Sequence, residues 1–207
     1  MDVFSQLVET DRIMAQKDEM KEAIVVAASG IFSKFGFRKT TMDDIAGAMR
    51  KGKSSIYYYF RNKEEIFAAV LEKEVFILRT KLEEAVAGKK HHKDKLKAYI
   101  ITRMEGFESL INFYNAIKNE YLSQFEFIEG IRNRYDQEEI GIIQGILDDG
   151  MKKGEFEIED TYLASVALVT SLKGFEIPLY ITGKKVQNIG LRVDKLLKML
   201  YYGIAKR

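Results

Sequence analysis

Residues 40–63 read TTMDDIAGAMRKGKSSIYYYFRNK, two short helical patterns joined by a basic turn. Thr41 is placed to cap the first helix. Asp44, three positions on, supplies the carboxylate half of a capping box and faces the positive end of the helix dipole. Ile45, Ala46 and Met49 then fall on one side. Lys51-Gly52 offers a turn, and Lys53-Ser54-Ser55 opens a second helix. On it Ile56, Tyr59 and Phe60 share one face, and Ser54, Tyr57, Tyr58 and Arg61 share the other. The first face packs and the second is presented, which is a costly way to use tyrosines unless something binds them. A short helix, a tight turn and a second helix able to enter the major groove make a helix-turn-helix. Lys53 can reach phosphate or guanine, Ser54 and Ser55 allow close approach, and Tyr57 and Tyr58 can donate to phosphate oxygens. Thr41 and Lys63, each at a helix N-terminus, are candidate phosphate clamps.

Charge supports the same partner. The net charge is only +2, but from Ser33 to Lys63 eight basic residues, Arg38 and Lys39 among them, face only Asp43 and Asp44. That local surplus is the footprint a phosphate backbone requires, with a solvated charged face as the alternative.

Working outward, Met20, Ala23, Ile24, Ala27, Ala28, Ile31, Phe32 and Phe35 predict a helix from Lys17 that ends at Gly36 as its left-handed cap. Residues 1–16 read as an arm or a short helix. Asn62 and Glu65 form a second predicted capping box, opening a long helix with Phe67, Leu71, Leu78 and Leu82 on one face. No linker separates that helix from the turn region. Beyond the KKHHKDK run come four or five more helical patterns. One breaks near Gly106–Ser109, one carries Ile140, Ile143, Ile146, Leu147 and Met151, one should end or kink near Ile177 ahead of Pro178, and the last carries Ile189, Val193, Leu196, Leu197, Leu200 and Ile204. With one proline, fifteen glycines and 46% hydrophobic residues, the 207-residue chain is predicted to be all-α. The absence of cysteine excludes disulfides, thiolate catalysis and thiolate-held zinc. An acidic N-terminus and no long apolar run predict a soluble, cytoplasmic protein with no membrane partner.

Other chemistries are weaker. Gly47 to Ser54 fits the P-loop pattern GxxxxGK[ST] letter for letter, but a capped-helix pattern precedes it where a buried strand is required, so nucleotide binding is the lesser alternative. His91 and His92 are adjacent rather than on one helical face, and read as a solvated loop rather than a metal site. No nucleophile constellation is present, and neither an enzyme, a metal nor a cofactor is expected.

The stretch from Thr40 to Phe67 resembles the DNA-binding signature of the TetR (tetracycline-repressor) family of transcriptional regulators, through Thr40, Thr41, Ile45, Ala46, Ile56, Tyr57, Tyr59, Phe60, Lys63 and Glu64, with Phe35-Gly36-Phe37 matching the usual first-helix ending. Arg50 stands where most members carry the turn glycine, and Ser54 where a glycine often opens the recognition helix. Arg50 implies either a non-glycine turn or a turn centred on Gly52. The resemblance implies a DNA-binding domain over 17–63 and an effector-binding and dimerisation domain over 64–207. It implies a homodimer on a palindromic double-stranded operator, acting as a repressor and released by a small, largely apolar effector. It places the effector pocket around Met104, Phe107, Tyr114, Tyr121, Phe125, Met151 and Phe175, and the dimer interface on the last two helices, at Val166, Thr170, Val193, Leu197, Leu200 and Ile204. A helical ligand-binding or scaffolding protein without DNA binding is the alternative.

Overall fold

The computed structural model describes residues 3–106, 110–118, 126–182 and 188–202, without the side chains of 3–11, 13, 114, 117–118 and 175–182. Among the described residues the regular elements are all helices, as periodicity predicts. They form two compact units, residues 1–73 and 74–207.

In the first unit, α1 (Val3–Phe35) is one helix, so the segment read as an arm or short helix is continuous with it. Gly36 stops it at φ +78°, donating its N–H to the Phe32 carbonyl at 2.8 Å. The helices α2 (Met42–Ala48) and α3 (Lys53–Tyr57) follow, and α4 (Lys63–Ala87) begins in this unit. The core is built from Ile24, Ala28, Phe32, Ile45, Ile56 and Ile66. Phe67 lies edge-on to Phe32 and tilted against Phe37, with ring centroids 4.9 and 4.8 Å away. Such pairs contribute about 0.5–1.5 kcal/mol each beyond their buried area.

In the second unit, the later turns of α4 are followed by α5 (His92–Glu105), α6 (Ile111–Lys118), α7 (Glu126–Lys152), α8 (Thr161–Thr182) and α9 (Ile189–Tyr202). The α7–α8 pair packs most extensively, and α5 lies against both α7 and α9. The sequence places a helix end or kink at Pro178. The helix does not end there: α8 runs on to Thr182, a single proline costing it one hydrogen bond and one turn's fit. His92 is also not in a solvated loop. It is the first residue of α5 and wholly buried, and Glu155 accepts hydrogen bonds from its backbone N–H at 2.8 Å and its Nδ1 at 3.0 Å. Beside it Gly150 of α7 lies so close to Phe156 that no Cβ fits there.

Two polar clusters are buried in this unit. Glu74, desolvated so that its carboxyl titrates above the ordinary range, accepts the backbone N–H groups of Asn112 at 3.2 Å and Phe113 at 2.9 Å, and the Asn112 side-chain amide at 2.7 Å. It caps the start of α6 from another helix. Between α5 and α7, Arg103 pairs with Glu139 through its Nε and, at 2.9 Å, through Nη2, while the Tyr99 hydroxyl donates to the same carboxylate at 2.9 Å. Burial and the Glu139 charge push the Tyr99 phenol well above its ordinary pKa.

Candidate nucleic-acid interface

The predicted capping box at α2 is complete. Thr41 Oγ1 accepts the Asp44 N–H at 3.2 Å, and Asp44 Oδ2 accepts the Thr41 N–H at 2.8 Å and its hydroxyl at 2.7 Å. Those bonds hold the Asp44 carboxyl below the ordinary range. The turn between α2 and α3 takes the first of the two forms the sequence allows. Arg50 adopts φ +53°, the left-handed conformation a glycine would take at less cost, while Gly52 is extended at φ −70° and serves as the N-cap of α3. The P-loop letters therefore fall on a helix end, a turn and the first turn of α3, with helix rather than strand before them.

The expected division into two faces holds except at Tyr59, which is half-buried, and α3 itself stops at Tyr57. Ile56 is 1% and Phe60 8% exposed, whereas Tyr57 is 45% and Tyr58 71% exposed. Ser54 and Ser55 are exposed beside them, as are Arg38, Lys39 and Thr41. Lys17 of α1 sits over the Tyr58 ring at 5.6 Å, and the ring of Tyr59 lies edge-on to it at 4.9 Å, so Tyr58 is propped outward. Lys53 is held by Asp43, Nζ to Oδ2 at 3.0 Å, which raises the pKa of the ammonium.

Lys63, expected as a phosphate clamp, is engaged differently. Its Nζ donates to the carbonyls of Phe37 at 2.8 Å and Thr40 at 2.9 Å, and lies 4.2 Å from the Phe37 ring centroid. It ties the start of α4 to the loop before α2. The second capping box is half as expected. Asn62 Oδ1 accepts the Glu65 N–H at 2.8 Å, but the Glu65 carboxylate takes the N–H and guanidinium of Arg61 instead of returning to Asn62.

Of the expected effector positions, Phe107, Tyr121 and Phe125 lie outside the described residues, as do the side chains of Tyr114 and Phe175. Met151 packs at the end of α7, its sulfur accepting the Ile158 N–H. Met104 helps line a narrow apolar cleft with Ile100, Leu172, Val193 and Leu196, and the exposed Arg192 borders it. Of the expected interface positions, Ile204 lies outside the described residues, and Val193 and Leu197 are each 4% exposed within the chain itself. Those two belong to its own core, because α9 turns its most regular apolar stripe inward against α5. The large apolar residues exposed on α9 are Leu191, Met199, Leu200 and Tyr202, and those on α8 are Tyr162 and Leu163, with Thr170 exposed and Val166 half-buried. The sequence did not single out Asp43, Glu74 or the Arg103–Glu139 pair, whose partners lie 10 to 39 positions away in the chain.

Residues 24–70 match the family described as "Bacterial regulatory proteins, tetR family". The transcriptional repressor NicS of Pseudomonas putida is 25% identical over 173 residues, which cover 76% of this chain and 75% of that protein. An uncharacterised transcriptional regulator of Bacillus subtilis, YhgD, is 37% identical over 68 residues, covering 33% of this chain and 36% of YhgD, so that similarity spans about a third of the relative's length. Among solved structures, the transcriptional regulator FadR of Bacillus subtilis in complex with stearoyl-CoA superposes with a TM-score of 0.72 at 21% identity, over 90% of this chain and all of that one. At that identity the likeness is one of fold.

Proposed function

We propose that this chain, which belongs to the TetR family of helix-turn-helix transcriptional regulators, is a one-component cytoplasmic repressor that binds a two-fold symmetric operator as a homodimer and leaves it when a small, largely apolar ligand binds. The observation that carries the DNA reading is the presented face of α3. Ser54, Ser55 and Tyr57 are exposed on α3 and Tyr58 at its C-cap, while Ile56 of the helix and Phe60 just beyond it are buried. Arg38, Lys39 and Lys53 supply the cations, and Thr41 an exposed hydroxyl at a helix start. In the dimer α8 and α9 pair with their copies through Leu163, Met199, Leu200 and neighbouring outward residues. Two recognition helices then stand about 34–36 Å apart or a multiple of it.

For the ligand, the apolar cleft bordered by Arg192 has room for only about one water as it stands, and it would have to open along α5, α8 and α9 to admit an apolar chain whose anionic head meets Arg192. The compound held by the Bacillus subtilis structure, stearoyl-CoA, has that chemistry and is the first candidate to test.

In vitro selection with the purified full chain tests the DNA reading. Enrichment of a symmetric duplex, bound more weakly as salt rises, supports it, and enrichment of no symmetric sequence sinks it. Titration with stearoyl-CoA tests the ligand class separately. A matching ligand raises the melting temperature and lowers operator affinity; an acyl-CoA that does neither removes the class and leaves DNA binding standing.

A further inference from the structure

Asp43 and Lys53 lie on the first turns of α2 and α3 and meet across the turn, Nζ to Oδ2 at 3.0 Å. Their side chains are 65% and 52% exposed, and ion pairs so exposed contribute little to stability. Asp43 has no part in the α2 cap, which Thr41 and Asp44 complete between them. A carboxylate in the basic stretch that is to meet phosphate can only weaken sequence-independent binding. Beyond the first-turn negative charge of α2, which Asp44 also supplies, the role open to it is recognition.

The pair presents an ammonium donor and a carboxylate acceptor side by side at hydrogen-bond spacing. The major-groove edge of a G·C pair presents the complement, since guanine O6 accepts, cytosine N4 donates, and the two are hydrogen-bonded to each other at about 2.9–3.0 Å. With one Nζ hydrogen on Asp43, two remain for guanine O6 and N7, while the carboxylate takes the cytosine N4 hydrogen. An A·T pair fits badly, because its single donor, adenine N6, is flanked by the acceptors N7 and O4, which would repel the carboxylate and leave the ammonium one acceptor at a time.

Resting on the DNA-binding reading above, we infer that the Asp43–Lys53 pair reads one G·C base pair in each operator half-site, Lys53 on the guanine and Asp43 on the cytosine. Asp43 is thereby a specificity-determining residue. The salt link is kept in the complex rather than exchanged, so the reading head is organised before DNA arrives.

The test measures affinities of the full chain for its selected duplex with every base pair substituted in turn, for the unaltered protein, for Asp43→Ala and for the near-isosteric Asp43→Asn, whose fold circular dichroism verifies. The expected result is one position per half-site at which the unaltered protein prefers G·C by about tenfold or more. Both variants lose the preference at that position and keep it elsewhere, while binding unrelated duplex at least as tightly. Variants that keep every base preference and bind all sequences more tightly alike would show a plain surface charge and overturn the inference. Should the unaltered protein select no symmetric duplex, the operator reading falls, and this pair's role falls with it.

Discussion

Arg50 and Lys63 show how much one side chain decides here. The first holds a left-handed conformation that costs a non-glycine residue about 1–2 kcal/mol, whereas glycine gives back about 0.4–1 kcal/mol in unfolded-state entropy. Arg50→Gly is therefore expected to raise the melting temperature slightly and Arg50→Val to lower it by several degrees, measured by thermal denaturation. The second residue makes a distinction that affinity alone would miss. If Lys63 acts by tying α4 to the loop at Phe37 and Thr40, Lys63→Met weakens operator binding with the slope of log K against log salt unchanged. If Lys39 contacts phosphate as proposed, Lys39→Ala lowers that slope by about one. A slope reduced equally by both variants would return Lys63 to the phosphate. The Thr41–Asp44 box was legible because both halves lie within three residues. The role of Lys63 was not, because its acceptors are backbone carbonyls 23 and 26 residues away, which no side-chain pattern records.

Elements were read well where a single helix decides them and poorly where a second helix does. Gly36 ends α1 as expected, since a local apolar pattern and a glycine are enough. The run of α8 past Pro178 departs from the expected end, since proline's cost is local to one turn. The Arg103–Glu139 pair joins two helices that each look self-sufficient. Removing one partner of a buried pair strands a charge, so Glu139→Ala should cost about 3–5 kcal/mol in chemical denaturation. Replacing all three members, Tyr99→Phe, Arg103→Met and Glu139→Leu, should recover most of it. A triple variant no more stable than Glu139→Ala would mean that the network does more than satisfy its own charges.

For the whole molecule, periodicity was enough for the all-helical class, and the signature around Thr40–Lys63 for the helix-turn-helix segment. The association surface was not so readable, since apolar spacing shows that a face is buried without showing against what. Leu197 is covered by the chain itself, whereas Leu163 and Met199 are 61% and 50% exposed. Leu163→Asp and Met199→Asp are expected to give folded monomers by light scattering and circular dichroism, and Leu197→Asp to lose the fold. A dimer surviving in both of the first two variants would move the interface away from α8 and α9.

The cap that Glu74 lends to α6 also sets an order of assembly. The first-turn N–H groups of α6 at Asn112 and Phe113 find their acceptor on Glu74 of α4 and not within α6, so the start of α6 is capped only once α4 is in place. Its amides at Asn112 and Phe113 should gain protection from hydrogen exchange no earlier than those around Glu74 do. On unfolding, the same bond makes the loosening of α4 at that turn and the fraying of α6 a single event.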